Sequence, residues 1–98
     1  MEAELLQRNE NDVLPGVLRA IRATARNPLP DSIEPEHSFV MDLRFDSMSI
    51  AILSVALEDE FDCSILLDGW IGGHRDPSTM TVRSLCRYLE GVLDGRSA

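Results

Sequence analysis

Between Asp46 and Phe61 the chain runs on a helical period without a single glycine or proline. At about 100° per residue, Ile50, Leu53, Leu57 and Phe61 fall within about 80° of one another and form a core stripe. Met48, Ile52 and Val55 fall on the opposite side, and Asp59 continues their line. A helix with two opposed apolar faces is either enclosed on all sides or offers one face to a partner. Full enclosure is hard to reach in 98 residues, so one face is expected to be an interaction surface.

The flanking segments read as further helices with long joints. Val13, Leu14, Val17, Leu18, Ile21 and Ala25 follow 3- and 4-residue spacing, with Asp12 as the expected cap and Pro15 in the first turn. Asn27-Pro28 stops this helix, and Arg19, Arg22 and Arg26 lie along one flank as a solvated face. Residues 27–46 then form a long connection holding Pro28, Pro30 and Pro35, with Leu29, Ile33, Phe39, Leu43 and Phe45 as apolar anchors. Connections of this length are usually functional when ordered. In residues 62–80 a short helical turn is expected near 64–71, followed by a flexible loop around Gly72, Gly73 and Pro77. Thr81 caps a last helix bearing Val82, Leu85, Cys86, Leu89, Val92 and Leu93, and Gly95 is expected to end it. The expected organisation is a flexible leader over 1–11, one domain over 12–94 and a tail over 95–98. Its fold class is all-α, a small four-helix bundle of three main helices plus a short third one.

Composition narrows the function. Hydrophobic residues make up 44% of the chain but aromatics only 5%, which suits an aliphatic helical core. A net charge of −8 argues against nucleic acid, because phosphate contact needs clustered cations. Cys63 and Cys86 form no metal motif with His37 or His74, and a disulfide between them is not expected. No run approaches membrane-spanning length. The expectation is a cytoplasmic, reduced, monomeric protein without a metal. Ser47 has no basic neighbour to activate it, so a hydrolase built on it lacks both base and oxyanion site.

Ser38-Phe39-Val40, Asp42-Leu43 and Asp46-Ser47-Met48, followed by Ala56-Leu57-Glu58-Asp59-Glu60-Phe61, resemble the two linked blocks of the acyl carrier proteins. Thr81-Val82-Arg83-Ser84-Leu85 with Tyr88-Leu89 is similar to the start of that family's last helix. The resemblance covers about residues 12–94 and implies a non-enzymatic carrier. Ser47 would take a 4'-phosphopantetheine arm from coenzyme A through a phosphopantetheinyl transferase, with Asp46 and Met48 beside the attachment point. Acyl or aminoacyl groups would then ride as thioesters to loading and chain-processing enzymes. The positive end of a helix favours the attached phosphate. Arg44, Met48, Ile52, Val55, Glu58 and Asp59 would meet those enzymes, the acids by electrostatic steering.

Three departures stand out. Arg44 occupies the family's usual glycine before the Asp-Ser pair. Ser49 and Ile52 occupy positions that are commonly acidic, and residues 64–77 replace a short acidic helix with a segment holding Trp70. These departures point to dedicated partners in a specialised fatty-acid, polyketide-type or non-ribosomal-peptide pathway. The competing reading is an unmodified acidic interaction module with the same fold.

Overall fold

The computed structural model describes residues 10–97. Its helices are α1 (Glu10–Thr24), α2 (Ser47–Phe61), α3 (Asp68–Gly72) and α4 (Val82–Ser97), with a 3₁₀ turn at Pro77–Thr79. Among the described residues there is no strand, only an isolated antiparallel bridge between Ser38 and Thr81. The all-α, four-helix expectation holds.

The helix ends differ from the expected ones in three places. α1 already runs from Glu10, so Asp12 lies inside it and not at the cap position. Pro15 then removes only the bond its N–H would have made to residue 11, close to the helix start. Residues 1–9 of the expected leader lie outside the described residues. At the other end α4 continues through Gly95 to Ser97. Glycine stops a helix by entering the left-handed region, and no described glycine has a positive φ. The short helix starts at Asp68 instead of near residue 64, because side chains of α2 and α4 engage the backbone of the preceding segment outside any helix.

α1 packs against both α2 and α4. It runs antiparallel to α2: Arg19 Nε donates to Glu60 Oε1 at 3.0 Å near one end, and Asn27 Nδ2 donates to the Arg44 carbonyl at 3.2 Å near the other. Gly16 allows this approach, since a Cβ there would lie 2.8 Å from Phe61 Cζ. The core is Val13, Val17 and Ile21 of α1 against Leu53 and Leu57 of α2 and Leu85 and Leu89 of α4, all fully buried. Cys86 is buried in the same cluster, Cys63 is half-buried, and neither forms a disulfide.

Trp70 belongs to this core. Its ring meets Phe39 edge-on at 5.4 Å, and Nε1 donates to Ser84 Oγ at 2.9 Å. The loop that follows is organised by hydrogen bonds, not loose: Asp76 accepts from Ser78 N, and His74 Nδ1 lies 2.8 Å from Thr79 Oγ1. Thr81 caps α4 as expected, with Ser84 N donating to Thr81 Oγ1 and Thr81 N donating to Ser84 Oγ.

The two faces of α2 predict opposite responses to truncation. Leu53→Ala removes a fully buried side chain and is expected to lower unfolding free energy by about 2–5 kcal/mol. Val55→Ala, on the exposed face, is expected to change it by no more than about 0.5 kcal/mol. Urea midpoints for the two variants check the contrast.

Candidate functional site at the start of α2

The long connection before α2 is a packed structure. Ser38 is buried, accepts its own turn's amides at Asp42 and Leu43, and donates its hydroxyl to the Pro77 carbonyl at 2.9 Å. Phe39 N donates to the Met80 carbonyl and Val82 N to the His37 carbonyl, which ties the connection to the start of α4. Phe45 N returns to the Phe39 carbonyl at 2.7 Å, and the two rings meet edge-on at 5.4 Å. The chain therefore arrives at residue 46 from a fixed direction.

The turn into α2 passes through Arg44, whose φ is 64°. A side chain in this left-handed region costs about 1–2 kcal/mol, which glycine avoids. Asp46 then caps the helix from extended backbone, accepting from Ser49 N at 2.8 Å. The Ser49 backbone bond holds the Asp46 carboxyl below the usual range, with help from the Ser49 side chain and the Arg26 guanidinium. Ser49 itself is buried, so this departure from the acidic pattern lies beneath the helix and outside any docking face.

Ser47 is the first residue of α2 and is exposed. None of the hydrogen bonds among the described residues engages its hydroxyl, whereas His37 Nδ1 accepts from Glu34 N and His74 pairs with Thr79. Beside it opens a cleft of about 720 Å³ between α2 and the segment leading into α3. Ser47, Ile50, Ala51 and Ser54 form one wall, Leu66, Leu67 and Ile71 the other, with Val40, Phe45, Met80 and the carboxylates Asp46 and Asp68 also lining it. Sequence reasoning missed this wall pairing. Ser47, Ala51 and Ser54 do repeat at helical spacing, but small and polar residues in that pattern read as an ordinary flank.

The family model for the phosphopantetheine attachment site matches residues 17–68, more than half of the chain. The chain belongs to the phosphopantetheine-attachment family. No solved structure is a significant match. This carrier thus holds thioester intermediates on 4'-phosphopantetheine, and the matched segment contains α2, its cap and the cleft walls up to Asp68. The residues present suit such a group. An unengaged, exposed hydroxyl stands where the helix amides carry partial positive charge, beside an apolar cleft.

On the outer face of the carrier's α2, Met48 is 60% exposed, Ile52 43% and Val55 60%, an apolar ridge that the bundle leaves uncovered. The acidic end of the helix is divided in use. Glu60 pairs with Arg19, and Glu58 Oε2 accepts from Ile65 N at 2.9 Å. Asp59 is exposed, and none of the hydrogen bonds or ion pairs among the described residues involves its carboxylate.

Two outcomes follow for the turn. Arg44→Gly is expected to raise stability by about 0.5–1 kcal/mol, the relieved backbone strain outweighing the extra freedom of glycine in the unfolded chain; urea denaturation reads it. The lowered Asp46 pKa means that its stabilisation is complete above the ordinary aspartate pKa and is lost as pH falls through the lower folded-state value. Asp46→Asn should keep the cap but flatten that part of the acid dependence, measured as urea midpoint against pH.

Proposed function

We propose that Ser47 is the attachment residue and that the chain carries aliphatic acyl thioesters between dedicated biosynthetic enzymes. The observation that carries this reading is the free, exposed hydroxyl of Ser47 at the mouth of an apolar cleft. A phosphopantetheinyl transferase supplies the chemistry. The Ser47 oxygen attacks the pantetheine-side phosphorus of the coenzyme A pyrophosphate, its proton leaves to a base of the transferase, and the nucleoside bisphosphate departs. A phosphodiester results, with a terminal thiol at the end of the arm. The absence of a hydrogen-bonded base beside Ser47 is consistent with a residue that is acted upon.

The lining favours an aliphatic cargo over a polar one. Val40, Ile50, Leu67, Ile71 and Met80 present carbon to the cleft, Ser54 already spends its hydroxyl proton on the Ile65 carbonyl, and the two lining carboxylates, Asp46 and Asp68, are exposed to solvent. Apolar burial gives roughly 0.8 kcal/mol for each methylene enclosed, enough for a short chain to prefer the cleft over water. Met48, Ile52 and Val55 are assigned to partner docking, with Asp59 and Arg44 at opposite ends of the contact. That pattern is more apolar than electrostatic and suits a small set of partners.

Incubation with coenzyme A and a broad-specificity transferase should add the mass of one phosphopantetheinyl group. Ser47→Ala should abolish the addition. A protein that stays bare would instead support the unmodified interaction module. Separately, Ile52→Glu should leave the thermal midpoint within a few degrees of wild type yet reduce acyl transfer by a native partner enzyme at least tenfold, the scale of one lost apolar anchor at an interface.

A further inference from the structure

The wall of the cleft opposite α2 has no secondary structure of its own at residues 63–67, yet it is held at every turn. Ile65 N donates to Glu58 Oε2 at 2.9 Å, and the Ile65 carbonyl accepts from Ser54 Oγ at 3.0 Å. The Leu66 carbonyl accepts from Tyr88 Oη at 2.7 Å. Tyr88 gets that close because residue 69 is glycine, where a Cβ would lie 2.9 Å from its hydroxyl oxygen. Ile65 is fully buried, so its amide and carbonyl have no water to turn to if these partners are lost.

Ser54 and Glu58 lie four residues apart on α2, on the same stripe as Ser47 and Ala51. The stripe therefore begins at the attachment hydroxyl and ends at the side chains that grip the wall. The cleft lining stops there too: Ser54 and Leu66 belong to it, whereas Ile65 and Glu58 lie beyond. Seven residues of helix separate Ser47 from Ser54, a rise of roughly 10 Å. Glu58 is half-buried, which suits a carboxylate turned toward the wall rather than toward an approaching enzyme.

We propose that Ser54 and Glu58 are positioning residues that latch the Ile65 backbone to α2, close the far end of the cleft and so set the length of acyl chain it shelters. Glu58 acts in this through a hydrogen bond, not through its charge. The inference rests on the reading of the cleft as the place where an acyl cargo lies. It assigns to Glu58 a task different from the partner contact that its place in an acidic run suggests.

The conservative variant separates the two roles, because a glutamine oxygen accepts the Ile65 N–H while carrying no charge. In the full-length apo-protein, hydrogen exchange at Ile65 is expected to match wild type within about twofold in Glu58→Gln. It should be roughly tenfold or more faster in Glu58→Ala, the scale of a buried amide left without its acceptor. Helical circular dichroism should be unchanged, and Ser54→Ala provides a second, smaller lesion. The holo-protein is then loaded from coenzyme A thioesters bearing straight acyl chains of increasing length, and thioester half-life in hydroxylamine is measured. Wild type and Glu58→Gln should lose protection beyond the same chain length, whereas Glu58→Ala and Ser54→Ala should extend protection to longer chains. A Glu58→Gln variant that behaves like Glu58→Ala would overturn the hydrogen-bond latch, and a common cutoff in all four proteins would overturn the length limit. Failure of Ser47 to accept any group would remove the carrier reading, and the Ile65 exchange rates would still decide the latch.

Discussion

The bridge between Ser38 and Thr81 fixes where Ser47 can stand. It joins the long connection to the last helix, and Phe39 hangs from it as the common contact of three otherwise separate parts. Phe45, which leads into α2, meets one edge of that ring, and Trp70 of α3 meets another. Aromatic pairs of this kind add about 0.5–1.5 kcal/mol beyond the area they bury. With only five aromatic residues in the whole chain, three converge here. The start of α2 and the α3 side of the cleft are thus referred to a single buried point.

Along α2 the charges follow two different logics. At its start the Asp46 carboxylate complements the helix dipole and is consumed by the Ser49 amide. At its end Glu58, Asp59 and Glu60 oppose the dipole, with no basic residue in the last turn to compensate. Glu60 and Glu58 are engaged within the fold, by Arg19 and by Ile65 N. Asp59 is left facing outward beside the apolar ridge. A run of three acids that looks uniform in sequence therefore divides into a bridge to α1, a wall anchor and a surface charge.

How much of this was legible from residues alone depends on the kind of order involved. The periodic helices were readable because their apolar stripes match 3.6 residues per turn, and Thr81 announced its cap. Exposure of Met48, Ile52 and Val55 followed from the two-faced pattern of α2. Residues 62–80 were not readable, because their order comes from side chains distant in sequence: Tyr88 on the Leu66 carbonyl, Ser84 on Trp70, Ser54 and Glu58 on Ile65. No local period encodes those contacts. The same cause moved the start of α3 to Asp68 and hid the far wall of the cleft. The burial of Ser49 was missed for a different reason: a polar residue on the inward side is recognisable only once its cap partner is known.

Arg44 remains the feature whose local cost is plainest. Its left-handed backbone sits where glycine would be free of strain, and its side chain projects into solvent three residues before Ser47. Backbone strain of this kind clusters at functional positions. The Asn27 bond is made to the Arg44 carbonyl and not to its guanidinium, so this tie between α1 and the turn does not use the side chain. The arginine is therefore not needed to build the turn. What it adds is one cation at the Ser47 end of a helix whose other end is acidic, in a chain of net charge −8. A partner docked along the apolar ridge, as proposed, would meet opposite charges at its two ends, and that polarity would orient it.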